Sequence, residues 1–357
     1  MITAQAPGKM ILIGEYAVLE GAPALVCAMD CHARVSVVPN DINEFSVDAP
    51  SIGVKREPFV LNAAGRVRFN PNLDEQYLRR LHFFSAIFEA LWQYSAAHNV
   101  QLKPCVIYLD TAEFYSSELK TKFGFGSSAA LTVSLIRVLL HFGGLDDDLS
   151  DDQLFEMALH IHHRAQGNMG SGIDVAASTF GGVIEYILEK KPEALTGQVT
   201  KLSPCPDLLV AAVWSGHSAS TRKMVRGVDQ LKTDHPGIYQ TMMQRLGEVS
   251  EQACQFYREG NGSDFLDSIR VYASLLSELG ERSGVSIVTP AHQHIMEIAE
   301  RAGAVYKPSG AGGGDIGVLF SQSPEILQWT EELLKDTPYR MLNQKISDTG
   351  VELTLKS

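Results

Sequence analysis

Apolar positions along this chain change their period several times, and the changes predict its elements. Residues 10–13 and 24–28 are short apolar runs and residues 34–38 alternate, so the stretch from 10 to 38 reads as β-rich. Residues 40–75 are mixed, with proline and asparagine turns, and read as hairpins or excursions. From Glu75 to His98, Leu78, Leu81, Phe84, Ile87, Phe88 and Leu91 recur at helical spacing. Residues 106–109 predict a strand, and residues 129–140 an apolar helix. Residues 151–163 form a second helix with Ser150 or Asp151 as its cap, and a Gly-Gly pair introduces a strand at 181–188. Residues 189–206 are polar and carry Pro192, Pro204 and Pro206; they divide the chain into an expected first domain, 1–195, and a second, 196–357. Beyond them lie a strand at 208–214, a helix from about Thr221, and helices near 238–258, 263–281, 289–302 and 324–335. A glycine-rich strand–loop–strand spans 303–320 and a last strand lies near 350–355. Strands and helices alternate without βαβ regularity, which predicts α+β layers rather than a doubly wound sheet.

Composition narrows the function classes. The 357 residues suffice for two domains of ordinary size. At 45% hydrophobic and 20% charged the chain reads as globular, with no apolar run long enough to span a bilayer and no signal-like start. The five cysteines (Cys27, Cys31, Cys105, Cys205, Cys254) are scattered; Cys27 and Cys31 have a metal-like spacing but no second pair follows, so reduced thiols of a cytoplasmic protein are expected. A net charge of −12 argues against nucleic acid as a partner. It also means that any anion site must gather its few cations in one cleft.

Three glycine-rich segments carry the candidate chemistry. Gly124-Phe125-Gly126-Ser127-Ser128-Ala129 precedes the apolar helix; its serines stand where helix caps stand, and the N–H groups of a helix start attract phosphate. It is neither a Walker loop nor a dinucleotide fingerprint. Near the start, Pro7-Gly8-Lys9 leads into an apolar run ending Gly14-Glu15-Tyr16. Near the end, Lys307-Pro308-Ser309-Gly310-Ala311-Gly312-Gly313-Gly314-Asp315 holds more glycine than one turn needs, and Asp315 is expected to support that loop. A fourth segment, Gly170-Ser171-Gly172-Ile173-Asp174, presents one carboxylate at the start of an apolar stretch; Asp174 is either a helix cap or a group that accepts or orients a hydroxyl proton. His160, His162 and His163 lack the pattern of a zinc site and are expected to be solvated or partly packed.

In their order and spread, the three glycine-rich segments resemble the three motifs of the galacto-, homoserine, mevalonate and phosphomevalonate kinase (GHMP) superfamily. The resemblance implies a two-domain fold, an N-terminal half like ribosomal protein S5 domain 2 and a C-terminal ferredoxin-like α/β sandwich. It implies ATP and Mg2+ as cofactors, small-molecule substrates, and allows a homodimer. Lys122, Gly124, Gly126, Ser127, Ser128 and Ala129 would hold the nucleotide, with Ser128 also on the metal. Lys9 and Asp174 would be the catalytic pair. Glu15, Tyr16, Ser171, Ser309, Gly310, Ala311 and Gly312 would line the substrate side. The proline that often precedes the family's phosphate loop is missing here, where Leu119-Lys120-Thr121-Lys122 stands.

Within the superfamily the chain is most like the phosphomevalonate kinases. Tyr16 follows Glu15 where mevalonate kinases usually carry histidine, and Gly216-His217-Ser218-Ala219-Ser220-Thr221 opens a helix followed by Arg222. That turn, with Ser218, Ser220 and Arg222, would bind the phosphate an acceptor already carries. His217 departs from the small residue or proline expected there. The resemblance thus implies ATP-dependent phosphorylation of 5-phosphomevalonate. Mevalonate kinase is the alternative, followed by diphosphomevalonate decarboxylase and a silent nucleotide-binding regulator.

Overall fold

A computed structural model of the chain describes residues 1–146, 149–190 and 195–355. Its trunk is the sixteen-residue strand Ala24–Pro39. The first strand, Ile2–Ile13, pairs antiparallel along its length. The second half of the trunk also pairs with Cys105–Asp110 and its first half with Val183–Lys190. Val26 to Met29 are buried without alternation, whereas beyond Cys31 every second residue is buried. A strand covered on both faces reads as a run, and one covered on a single face alternates. Phe45–Ala49, Val54–Leu61 and Val67–Phe69 extend this nine-stranded sheet on one side, and Glu352–Leu355 closes on residues 2–5 of the first strand.

Helices His82–Ala97, Ser127–Gly143, Asp151–Ala165 and Ile173–Phe180 pack together, and Ser127–Gly143 lies on the first strand and the trunk. Ser150 caps its helix in a capping box with Gln153. The single helix expected over 75–98 is two, Glu75–Arg80 and His82–Ala97; the fully buried Leu81 between them leaves helical geometry at ψ 2°.

The second sheet is antiparallel, in the order Val305–Pro308, Ile316–Ser321, Leu209–Trp214, Arg340–Leu342, with five helices between Thr221 and Leu334. The architecture is mixed α+β, and one apolar core runs through both sheets, with a smaller cluster around Val213, Ile298 and Leu319. The expected divide at 195/196 falls at the head of a strand. Leu195–Leu202 pairs with Val183–Lys190, so residues 195–202 and 352–355 both belong to the first sheet. This strand lies at the sheet's edge, with no residue fully buried and Gln198, Thr200 and Lys201 exposed, so no apolar period betrays it.

Candidate active site

The phosphate-loop sequence alternates Phe-Gly-Phe-Gly, and the alternation sets its geometry. Phe123 and Phe125 are buried, their rings edge to face with centroids 5.9 Å apart. Gly124 and Gly126 line the cleft instead. Gly126, not a serine, is the cap of helix Ser127–Gly143, at φ 77° and ψ 38°, which an L residue adopts only with strain. A Cβ on Gly126 would stand 3.0 Å from Lys9 Cγ, and one on Gly124 would stand 2.8 Å from Asp315 Cβ. The loop thus has room for a ligand only because side chains are missing. The expected serine cap is corrected accordingly: Ser127 and Ser128 are the first residues of the helix, and neither side chain caps it. Ser128 Oγ lies 3.4 Å from His162 Nε2.

Lys9 anchors the other wall. Its backbone N–H donates to Phe125 O at 2.7 Å, and its ammonium to Gly124 O at 3.2 Å. Burial lowers its pKa, while Asp174, then Asp315 and Glu15, hold the proton on it. Asp174 is the second residue of helix Ile173–Phe180, after Gly172 at φ 78°, and its Oδ1 accepts from the Val175 N–H at 3.0 Å. Its Cβ is 3.7 Å from where a Gly126 side chain would begin, so lysine, aspartate and phosphate loop converge.

These groups enclose a cavity of about 490 Å³. Lys122, Ser127, Ser128, Glu15, Tyr16 and Ser171 line it with them, as do Ser218, Arg222, Gly310 and Ala311. Ala129, Ser220, Ser309 and Gly312 do not. Ala129 is buried in its helix, and Ser220 ends at the head of helix Thr221–Asp234 without a capping bond. Ser309 Oγ is spent on Ile11, accepting from its N–H and donating to its carbonyl, each at 3.0 Å. Tyr16, at φ 63°, donates its hydroxyl to Ala311 O at 2.7 Å. Glu15, expected on the substrate side, is 2% exposed and paired with the fully buried Lys307.

Three residues with no binding role in the sequence reading stand at this cleft or directly behind it, and of these only Asp315 lines the cavity. Asp315 lines the cavity, accepts from Ala219 N–H at 3.3 Å and touches Ser218; burial raises its pKa, and these bonds with Lys9 and Lys122 pull it back. His162 is buried, 3.0 Å from the Gln166 amide and tilted against Phe83 at 5.6 Å; burial lowers its pKa against the pull of Asp174. Lys307 is the third. The sequence signal for Asp315 was its place directly after the glycines. Nothing local distinguishes His162 from its two neighbours, since only the helix's packing decides which of the three turns inward.

A backbone cradle at a helix start, facing a lysine and an aspartate, is what moving a phosphoryl group requires, and the molecule is a small-molecule phosphotransferase. Residues 85–182 match the GHMP kinases N terminal domain. A phosphomevalonate kinase of Streptomyces sp. (strain CL190) is 29% identical over 89% of this chain and 89% of its own. A mevalonate kinase of Archaeoglobus fulgidus is 27% identical over 89% of this chain and 90% of its own. The fold matches a Streptococcus pneumoniae phosphomevalonate kinase, solved with phosphomevalonate and AMPPNP, at a TM-score of 0.80 and 19% identity, over 97% of this chain and 100% of that one. The chain thus carries a GHMP kinases N-terminal domain at residues 85–182 and is similar over most of its length to kinases of the mevalonate pathway.

Proposed function

We propose that this kinase transfers the γ-phosphoryl group of ATP to 5-phosphomevalonate, giving 5-diphosphomevalonate within isoprenoid precursor synthesis. The observation that carries the acceptor assignment is the pair Lys122 and Arg222. Both line the cavity that holds Lys9 and Asp174, and among the described residues neither is closed by a hydrogen bond or an ion pair. Cations left open in a chain of charge −12 suit anions on two substrates better than on one. The similarity to the Streptomyces phosphomevalonate kinase supports the same reading.

In this reading the N–H groups of Ser127 and Ser128 take the nucleotide phosphates, as the side-chain-free space at Gly124 and Gly126 allows. Among the described residues no group of three or more His, Cys, Asp or Glu is arranged around one point. Magnesium is carried largely by phosphates and water with one or two protein ligands; Ser128 Oγ would be one. When bound, magnesium neutralises charge on the transferring phosphates. Asp174 orients the acceptor hydroxyl and accepts its proton as the O–P bond forms. Lys9 balances the charge that builds on the phosphoryl oxygens. Arg222 and Ser218 hold the phosphate already on the acceptor.

Mevalonate kinase is the second reading, favoured by the Archaeoglobus relative and by Ser220 lying off the cavity. A coupled ADP-release assay with mevalonate, 5-phosphomevalonate and 5-diphosphomevalonate offered separately decides between them. Preferential turnover of 5-phosphomevalonate is expected; better turnover of mevalonate would replace the first reading with the second.

A further inference from the structure

Lys307 is fully buried in strand Val305–Pro308, and its ammonium has two partners, Pro308 O at 2.8 Å and Glu15 Oε1. Glu15 Oε1 also accepts from the Gly310 N–H at 3.3 Å. The other oxygen, Glu15 Oε2, is buried without any partner, and Glu15 lines the cavity. One face of this carboxylate is therefore saturated from behind while the other lacks a donor. Leaving a buried charged acceptor unpaired costs more than leaving a neutral one, so the site is poised for a donor from a ligand.

We propose that Lys307 is a positioning residue for the acceptor: it fixes the charge and orientation of Glu15, whose free Oε2 accepts a hydrogen bond from an acceptor hydroxyl in the cavity. This rests on reading the cavity as an alcohol-phosphorylating site. Other charged or titratable groups face the pair, but none replaces Lys307. Lys9 reaches from the first strand and donates to Gly124 O rather than to Glu15. Tyr16 follows Glu15 and bonds Ala311, and Tyr272 from helix Gly262–Ser283 donates to the Glu15 backbone carbonyl at 2.7 Å. His292 lies behind Lys307 and bonds Tyr306 and Gly314. Burial lowers the pKa of Lys307, and the Glu15 carboxylate opposes that shift.

Lys307→Met, Glu15→Gln and the double variant, compared with the wild type from about pH 5.5 to 9, test this through KM for acceptor and for ATP. In Lys307→Met the acceptor KM should rise at least about tenfold across that range, because Glu15 loses the partner that orients its carboxylate. The ATP KM should stay within about twofold, since the nucleotide cradle is built elsewhere. Glu15→Gln should raise the acceptor KM by a similar factor, and the double variant should match it, because the same hydrogen bond is lost once. Equal rises in both KM values at every pH, or losses that add in the double variant, would overturn the proposal and leave Lys307 a structural brace. If Lys307→Met does not fold, Glu15→Gln decides alone: an unchanged acceptor KM overturns it. A wild-type enzyme that phosphorylates some other alcohol would sink the substrate reading, and the same three variants would then be read with that alcohol.

Discussion

The two glycine-rich loops at the cleft reach their positions differently. Residues 123–128 are fixed from within: two buried phenylalanines alternate with two glycines, and a seventeen-residue helix follows directly. Residues 309–315 have no helix behind them and four glycines at positive φ, from 70° at Gly312 to 149° at Gly314. Their hold comes from afar. Ser309 is stitched to Ile11, Ala311 to Tyr16, Gly310 to Glu15, and Gly314 O to His292. The first three bonds join residues 295 to 298 positions apart. A phosphate cradle can thus be written in a few consecutive residues. The loop facing it exists only once the first strand and the second sheet have met.

Breaking the chemistry while sparing both loops should have the largest effect. Asp174→Asn keeps the hydrogen-bonding shape but not the carboxylate, and turnover should fall by about 10²–10⁴ with ATP affinity within a few-fold. Near-wild-type turnover would reduce Asp174 to a helix residue. The outer hold on residues 309–315 can be weakened by acid through His292. Burial lowers its pKa to about 4 from an ordinary 6.5. The unfolded chain gains this proton below about pH 6.5, which the fold refuses until about pH 4, so stability is full above that window and falls as pH drops through it. The loss should reach roughly 3 kcal/mol near pH 4. Urea unfolding of His292→Gln should lack this part of the slope; parallel curves would remove His292 from the account. Next comes Arg222→Ala, expected to raise the KM for 5-phosphomevalonate about tenfold with ATP little changed, as one lost charge-assisted bond implies. An unchanged KM with a lowered melting temperature would make Arg222 a helix-surface cation. Smallest is Ser128→Ala, which should raise the magnesium requirement roughly fivefold, the worth of a ~1 kcal/mol contact. A superimposable magnesium titration would confine Ser128 to its helix.

The same contrast explains what could be read from the sequence. The helix starting at Ser127, the Ser150 cap and the alternating half of Ala24–Pro39 are set by neighbours in sequence, and period and cap residues expose them. Lys9, Asp174 and the glycine loop stood out in the sequence because each sits beside glycines, and the fold brings them to one cavity. Leu195–Leu202 was hidden because an edge strand with no fully buried residue needs no apolar period, and Arg340–Leu342 because three residues carry no pattern at all. Glu15 was placed on the substrate side, yet its partner Lys307 looked like any lysine before a proline. Their pairing is a product of tertiary approach, and only its result, a wholly buried ammonium, makes it visible.

The strand Glu352–Leu355 lies along residues 2–5, with Ile2 opposite Leu355 and Gln5 opposite Glu352. On a ribosome the trunk can take up one edge of the first strand almost at once. The other edge waits for a stretch made 347 residues later. At roughly 5–20 residues per second that is some tens of seconds in which an open row of amides is offered to whatever passes. During that interval the unpaired edge is a template on which two nascent chains can pair with each other instead.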